Sequence, residues 1–115
     1  SMIMITHDLG IVAEICDKVA IMYAGGVVEY GDKEALYQNP KHPYTNGLFD
    51  SIQDLDMDEI VQLNEIDGLP PDPINLPSGC VFYPRCKKAM DKCKDNKPGM
   101  ADVGPFHKVK CFLYE

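Results

Sequence analysis

The pattern of apolar and polar positions predicts a strand and then a helix at the start of the chain. Residues 2–6 are an apolar run rich in branched side chains, which is typical of a strand buried on both faces. Asp8 is a suitable N-cap, and the apolar residues after it recur at i, i+3, i+4 and i+7, the spacing of one helical face. That face consists of Leu9, Val12, Ala13 and Cys16. A lone cysteine at such a position is a small buried hydrophobe, so we expect Cys16 in the core.

A hairpin is the next predicted element. Residues 19–23 and 27–30 are two strand-like runs, and the Gly25-Gly26 pair between them is typical of a tight turn.

Two short helices are predicted after the hairpin. Asp32 is a candidate cap for the first helix, and Asn39-Pro40 would end it. The second would begin at Pro43, because the missing N–H of proline is harmless in a first turn. Its apolar residues at near-helical spacing are Tyr44, Leu48 and Ile52.

The middle of the chain is acidic and then rich in proline. The acidic residues Asp54, Asp56, Asp58 and Glu59 are expected on a solvated surface, and residues 60–66 could supply one further small element. Four prolines fall within residues 70–77 and predict an extended connector, since proline fits neither a regular helix nor a central strand.

Composition and charge exclude several classes of protein. With 115 residues, the chain has room for one modest domain, and no apolar run approaches the roughly 20 residues that span a bilayer. No secretory leader is visible, and Ser1-Met2 is typical of what tag removal leaves ahead of an internal start, so we expect a fragment of a longer protein. The net charge of −7 argues against nucleic acid as a partner.

The charge is distributed unevenly. Residues 1–79 hold 14 acidic and 3 basic side chains, whereas residues 80–115 hold 4 acidic and 8 basic ones. Four of the five cysteines lie in the basic part, and they are Cys80, Cys86, Cys93 and Cys111. Such clustering indicates a bound or bridged group, and three interpretations compete: two disulfides, one zinc ion, or an iron-sulfur cluster. Disulfides would need an oxidising compartment, to which no visible signal directs the chain.

The spacing of the cysteines bears on the choice between zinc and a cluster. Zinc ligands usually come in pairs two to four residues apart, and neither of the first two gaps is that short. If one helix ran from Cys86 to Cys93, their Cα atoms would be roughly 10 Å apart, whereas thiolates on one zinc ion lie within about 4 Å of each other. A [4Fe-4S] cubane is wider and takes four thiolates, so it is favoured, with zinc as the alternative.

Cations around the cysteines favour the same anionic cluster, because they lower thiolate pKa values and offset negative charge. These cations are Arg85, Lys87, Lys88, Lys92, Lys94, Lys108 and Lys110. Pro84-Arg85 would also fix the chain beside Cys86 and supply hydrogen-bond donors. We expect His107 on the surface, although its place four residues before Cys111 makes it a possible substitute ligand or hydrogen-bond donor. His42 is expected to pack or hydrogen-bond locally at a helix start, with no chemistry assigned.

Three motifs resemble one known family, the ATP-binding subunits of ABC peptide importers, and in particular the D-type subunit of the oligopeptide and dipeptide importers. Residues 5–10 and 19–25 resemble the switch-histidine region and the strands after it. Residues 39–45 resemble the His-Pro-Tyr motif, and residues 76–86 resemble the cysteine-containing C-terminal extension. In that family the four cysteines are ligands of a [4Fe-4S] cluster, so the resemblance implies the same role for these four.

The resemblance also implies the setting in which the chain works. His7 would be the switch histidine that contacts the γ-phosphate and helps orient the attacking water. The phosphate loop, the signature motif and the acidic Walker B strand are absent from this sequence, so ATP and Mg²⁺ would bind only in the full-length parent and the fragment alone should be inactive. Its partners would be a second ATP-binding subunit and membrane permease subunits. The expected location is cytoplasmic, at the inner face of the cell membrane.

The expected fold is α+β, a fragment of an α/β ATPase domain. Residues 1–53 would be the C-terminal remnant of the ATP-binding domain, and residues 54–79 would be a linker. Residues 80–115 would be a small irregular extension whose fold is stabilised by its bound metal. Two functions remain open: the C-terminal part of a peptide-importer ATPase with a structural or regulatory cluster, or a free-standing zinc-binding interaction module. A strand at residues 2–6 without neighbours could also pair two copies of the fragment.

Overall fold

The computed structural model describes residues 1–53 and 72–115, and these form an α+β fold built on a four-stranded antiparallel sheet. The helices are α1 (Leu9–Ile15), α2 (Lys33–Gln38), α3 (Pro43–Gln53) and α4 (Asp91–Asp95), and the strands are β1 (Lys18–Tyr23), β2 (Gly26–Asp32), β3 (Ala101–Gly104) and β4 (His107–Val109). Two 3₁₀ turns span Tyr83–Arg85 and Phe112–Tyr114. The strand order is β1-β2-β4-β3. The predicted fold class is confirmed at this level.

The start of the chain differs from the prediction in one element. Asp8 caps α1 as expected, because its carboxylate accepts hydrogen bonds from the amides of Gly10 and Ile11 at 3.0 and 3.2 Å. The predicted strand at residues 2–6 is wrong, since no strand forms there and the side chains of Ile3 and Ile5 are 94% and 96% exposed. A strand needs a partner for its backbone N–H and C=O groups, and no described residue pairs with this segment.

The predicted hairpin is confirmed, with its turn at Ala24 and Gly25 where Gly25-Gly26 was predicted, because Gly26 already belongs to β2. β1 and β2 pair from Lys18 opposite Asp32 to Tyr23 opposite Gly26, with a register shift after Ile21. Ala24 and Gly25 both have positive φ, at 50° and 81°, which is the conformation a tight two-residue hairpin turn requires. Buried and exposed residues alternate along β1, so one face of the hairpin packs on the core.

The two helices after the hairpin are also confirmed. α2 follows Asp32, which occupies the cap position without a capping hydrogen bond from its side chain, and Asn39 ends the helix. α3 begins at Pro43 as predicted. The predicted features at residues 54–71, which include the acidic stretch and part of the connector, lie outside the described residues. Residues 72–79 contain turns and bends, with neither helix nor strand.

The C-terminal extension is more regular than expected. Instead of an irregular segment, it contributes β3 and β4, and β4 pairs with β2 through Glu29 opposite Val109 and Gly31 opposite His107. A side chain at Gly31 would place its Cβ 2.5 Å from the carbonyl oxygen of Phe106, so glycine permits this close approach. One sheet therefore contains strands from both the acidic and the basic parts of the chain.

The main core lies between the hairpin, the helices and the 3₁₀ turn of the extension. Its buried members are Val12, Val19, Ile21, Tyr23, Val28, Leu36 and Phe82. Cys16 packs against this cluster, in agreement with its predicted core position. Phe82 brings the extension into the core, since its ring lies 5.2 Å from that of Tyr23 and 5.5 Å from that of Tyr44. Within the described ranges, no helix has the length and apolar character to cross a membrane.

Candidate metal centre

The four C-terminal cysteines line one small cavity. They reach it from different elements: Cys80 precedes the first 3₁₀ turn, Cys86 follows it, Cys93 lies in α4 and Cys111 follows β4. The other lining residues are His42, Pro43, Phe82, Tyr83, Lys88, Met90, Phe112 and Leu113. All four cysteines are free thiols, so the chain forms no disulfide among its described residues. The structure thus places the four predicted ligands around a common space.

Backbone contacts set the positions of these cysteines. The amide of Cys80 donates to the carbonyl oxygen of Cys93 at 2.8 Å, which ties two of the thiols together through the main chain. Gly79 lies against the carbonyl oxygens of Cys93 and Lys94, where a Cβ atom would collide with both. The amide of Cys86 donates to the carbonyl oxygen of Tyr83 at 3.3 Å and closes the first 3₁₀ turn. The backbone conformation around Cys80 therefore requires a glycine at position 79.

A backbone amide approaches the sulfur of every one of the four cysteines. The amide of Met90 donates to the Sγ of Cys93 at 3.4 Å. The other sulfurs face amides that follow them in the chain and lower their pKa values: Phe82 for Cys80, Lys88 for Cys86 and Leu113 for Cys111. Hydrogen bonds to sulfur favour the thiolate over the thiol, and they orient a sulfur toward a bound group. This arrangement is suited to four thiolate ligands.

Burial opposes ionisation of the thiols while no cation is bound. Burial raises the pKa of Cys80, Cys86 and Cys111, and the neighbouring cysteines raise it further, whereas the amide hydrogen bonds lower it. At neutral pH these side chains are therefore neutral thiols. A metal would displace their protons, because it supplies the positive charge that a buried thiolate needs.

The donor set fits a metal group, although the spacing is not that of a single closed ion site. Among residues 1–53 and 72–115, no three His, Cys, Asp or Glu side chains lie at distances ready to hold one ion. The condition of one continuous helix from Cys86 to Cys93 is not met, because α4 begins only at Asp91 and the backbone of Met90 before it is extended. That helix was the basis for separating Cys86 and Cys93 by roughly 10 Å, so the argument against zinc loses this support.

The predicted ring of cations is only partly present. Lys88 lines the cavity and lowers the pKa of Cys86, and Lys110 lowers the pKa of Cys80. Lys92 instead lies over the ring of Phe112, with its Nζ 4.7 Å from the ring centroid. A guanidinium nitrogen of Arg85 lies 3.5 Å from the hydroxyl oxygen of Tyr23. The positive charge next to the cysteines therefore includes Lys88 and Lys110, whereas Lys92 packs on an aromatic ring.

A buried carboxylate that the sequence interpretation missed lies beside the cavity. Glu29 is fully buried in β2 and accepts hydrogen bonds from the amides of Lys41 and His42, both at 2.9 Å. Its Oε1 also lies 2.6 Å from the Nε2 of His107, which is 4% exposed. The expectation of a surface His107 is therefore wrong: it is held in the sheet by this pair and does not line the cavity. The signal for this buried carboxylate in the sequence was a charged residue within a strand that is otherwise mostly apolar.

The remaining histidines lie at two different places. His42 is 1% exposed and lines the cavity, and its Nδ1 accepts a hydrogen bond from the amide of Tyr44 at 3.0 Å. This confirms the local hydrogen bond expected of a helix-start residue. His7, the candidate switch histidine, is exposed just before α1 and is not part of the cavity wall.

Comparison with known proteins identifies the class to which this chain belongs. Residues 28–93 match the family model of the oligopeptide/dipeptide transporter, C-terminal region. Because this match covers more than half of the sequence, the chain belongs to that family. The matched region begins in the hairpin and ends at Cys93, so it includes three of the four cavity cysteines.

Individual relatives are ATP-binding proteins of peptide transport. The chain is 51% identical over its whole length to the oligopeptide transport ATP-binding protein AppD of Bacillus subtilis and covers 35% of that relative. It is 44% identical over its whole length to the dipeptide transport ATP-binding protein DppD of Caldanaerobacter subterraneus, again covering 35% of it. With OppD of Salmonella typhimurium, the identity is 46% over 97% of the chain and 33% of the relative. The chain therefore spans about a third of the length of these relatives.

Proposed function

We propose that this chain is the C-terminal part of the ATP-binding subunit of an ABC importer for oligopeptides or dipeptides, and that its four cysteines hold a [4Fe-4S] cluster. The observation that carries the metal centre is the single cavity lined by Cys80, Cys86, Cys93 and Cys111, with a backbone amide at each sulfur. Four thiolates are the usual ligands of such a cluster. When bound, the cluster would join the turn, α4 and the end of β4.

The role of the cluster in this proposal is to fix the fold of the extension. The described elements of the extension are short, with helices and strands of three to five residues. Elements of this length bury little apolar surface, and a metal group often supplies the missing stability. The cysteines hold the group and orient it, while the amides stabilise their negative charge.

Metal analysis tests this proposal. Protein purified without oxygen should be brown and contain iron and sulfide, and serine in place of any one of the four cavity cysteines should release the metal. Cys16→Ser is the matched control, because Cys16 packs against the main core and does not line the cavity. Colourless protein with one equivalent of zinc would favour the alternative, a zinc-binding module. Loss of metal in Cys16→Ser, or no metal in any preparation, would contradict the assignment of the site.

The transport function belongs to the longer protein in this proposal. ATP and Mg²⁺ would bind there, His7 would contact the γ-phosphate, and the partners would be a second ATP-binding subunit and membrane permease subunits at the cytoplasmic face of the membrane. The sequence lacks a phosphate loop, so a calorimetric titration of this chain with Mg-ATP should give no binding signal. Micromolar binding would show that nucleotide recognition does not depend on the missing motifs.

A further inference from the structure

The His-Pro-Tyr segment forms one wall of the cysteine cavity. His42 and Pro43 line the cavity together with all four cysteines. The imidazole of His42 also packs against Phe82, with ring centroids 5.6 Å apart, and the amide of Phe82 in turn approaches the sulfur of Cys80. A residue with a polar side chain, His42, therefore lines the same cavity as the four cysteines.

The hydrogen bonds of His42 decide which of its ring nitrogens carries a proton. Its Nδ1 accepts from the amide of Tyr44, and a backbone amide can act only as a donor, so this nitrogen carries no hydrogen. An imidazole without a hydrogen on Nδ1 is the neutral form, because the charged form carries a hydrogen on both ring nitrogens. A neutral imidazole has one N–H, which must therefore be at Nε2.

That N–H is available to the cavity. No residue in the described part of the chain accepts a hydrogen bond from Nε2 of His42. Among the described residues, the one fully buried side-chain polar atom without a hydrogen-bond partner is Oγ1 of Thr45. Nε2 of His42 is therefore not fully buried, and it borders open space. His42 lines the cavity, so the cavity is the open space next to this residue.

The backbone of His42 is held in place from three directions. The carboxylate of Glu29 accepts from the amides of Lys41 and His42, and the hydroxyl of Tyr114 donates to the carbonyl oxygen of Lys41 at 3.0 Å. The side-chain amide of Asn46 donates to the carbonyl oxygen of His42 at 3.1 Å. A donor fixed in this way loses little conformational entropy when it meets an acceptor.

We propose that His42 donates its Nε2–H to a cysteine sulfur when the cavity holds its metal group, which makes His42 a positioning residue of the centre. This inference rests on the proposed metal centre. Its chemistry is that of a sulfur ligand accepting a hydrogen bond, which favours the thiolate and also favours the reduced, more negative state of a cluster. The His-Pro-Tyr segment thereby joins the start of α3 to the cysteine site.

Two substitutions by amide residues distinguish the two roles of His42, as hydrogen-bond donor to the cavity and as N-cap of α3. His42→Asn keeps an acceptor near the position of Nδ1, where it can still cap α3, but it has no group that reaches the position of Nε2. His42→Gln places an amide N–H near Nε2 and loses the acceptor near Nδ1. The wild type and both variants are reconstituted anaerobically with iron and sulfide. Metal retention against a chelator and the reduction potential of the bound cluster are then measured.

The expected result is a loss specific to the donor. His42→Asn should release metal about 10- to 100-fold faster than the wild type and shift the cluster to a more negative potential, and His42→Gln should recover part of both effects. Equal retention and potential in wild type and His42→Asn would overturn the inference, and so would equal losses in the two variants, which would indicate packing alone. If the wild type takes up zinc and no iron, zinc retention is compared in the same variants. A wild type that binds neither metal overturns the proposed function itself.

Discussion

Replacement of Glu29 by glutamine should strongly destabilise the fold. The carboxylate is 0% exposed, its Oε1 faces the amide of Lys41 and the ring of His107, and its Oε2 faces the amide of His42. An amide group of the same size has only one oxygen, so in either orientation its NH₂ points at an N–H donor. Leaving one buried donor unpaired costs about 1–3 kcal/mol. A buried donor that loses a carboxylate acceptor lies at the upper end of this range, because hydrogen bonds to charged groups are the stronger ones.

We therefore expect Glu29→Gln to lose about 3 kcal/mol of unfolding free energy, a large part of the roughly 5–15 kcal/mol typical of a domain. Urea unfolding followed by circular dichroism measures this loss, with wild type and variant compared in the same metal state. Glu34→Gln is the matched control, because the side chain of Glu34 is 68% exposed and its pair with Lys33, at 3.7 Å, is a surface contact. The control should change stability by less than about 0.5 kcal/mol. Equal effects of the two substitutions would refute this account of Glu29.

Three further outcomes follow from the described contacts. Gly79→Ala should destabilise the protein by about 1–3 kcal/mol in urea unfolding, because its Cβ would meet backbone carbonyls of α4, whereas Gly26→Ala should be mild since its nearest contact is at 3.9 Å. In the metal-free protein, the unfolding free energy should be constant above about pH 6.5 and fall by roughly 3 kcal/mol as the pH drops to 4. The reason is that the pKa of His42 is lowered to about 4 in the folded state, so the unfolded state binds the proton first. His42→Asn should lack this dependence between about pH 6.5 and pH 4 in the same assay. Ile3→Lys with Ile5→Lys should shift any self-association seen by sedimentation toward monomer, and a wild type that is monomeric at all concentrations would contradict that expectation.

Sequence patterns were sufficient for the elements that local interactions define. The carboxylate of Asp8 caps α1 through amides two and three residues away, and the turn at Gly25 needs only its own backbone conformation. Pro43 starts α3 for an equally local reason. The four cysteines could be assigned to one site because clustering in sequence is itself evidence of a shared group.

Features that depend on distant partners could not be derived from local patterns. β3 and β4 contain four and three residues, and β4 pairs with a strand about 78 positions earlier in the chain. The contact between Glu29 and His107 has the same separation. The apolar run at residues 2–6 shows the converse, because its composition favours a strand, but the described residues provide no strand to pair with it. Periodicity reports which face of an element is apolar, and it does not report which other element covers that face.

The buried carboxylate of Glu29 physically connects the sheet to the proposed metal centre. It accepts a hydrogen bond from the backbone of His42, a residue that lines the cavity, and it contacts the ring of His107, from which β4 leads to Cys111. A group bound in the cavity would therefore stabilise the contacts of the sheet, because ligands that bind only the folded state shift the folding equilibrium toward it. Linkage is reciprocal, so the free energy by which a bound group strengthens the Glu29 contacts equals the free energy by which those contacts strengthen its binding. The acidic and basic parts of this chain then fold as one unit, since each contributes groups that the other needs in order to be buried.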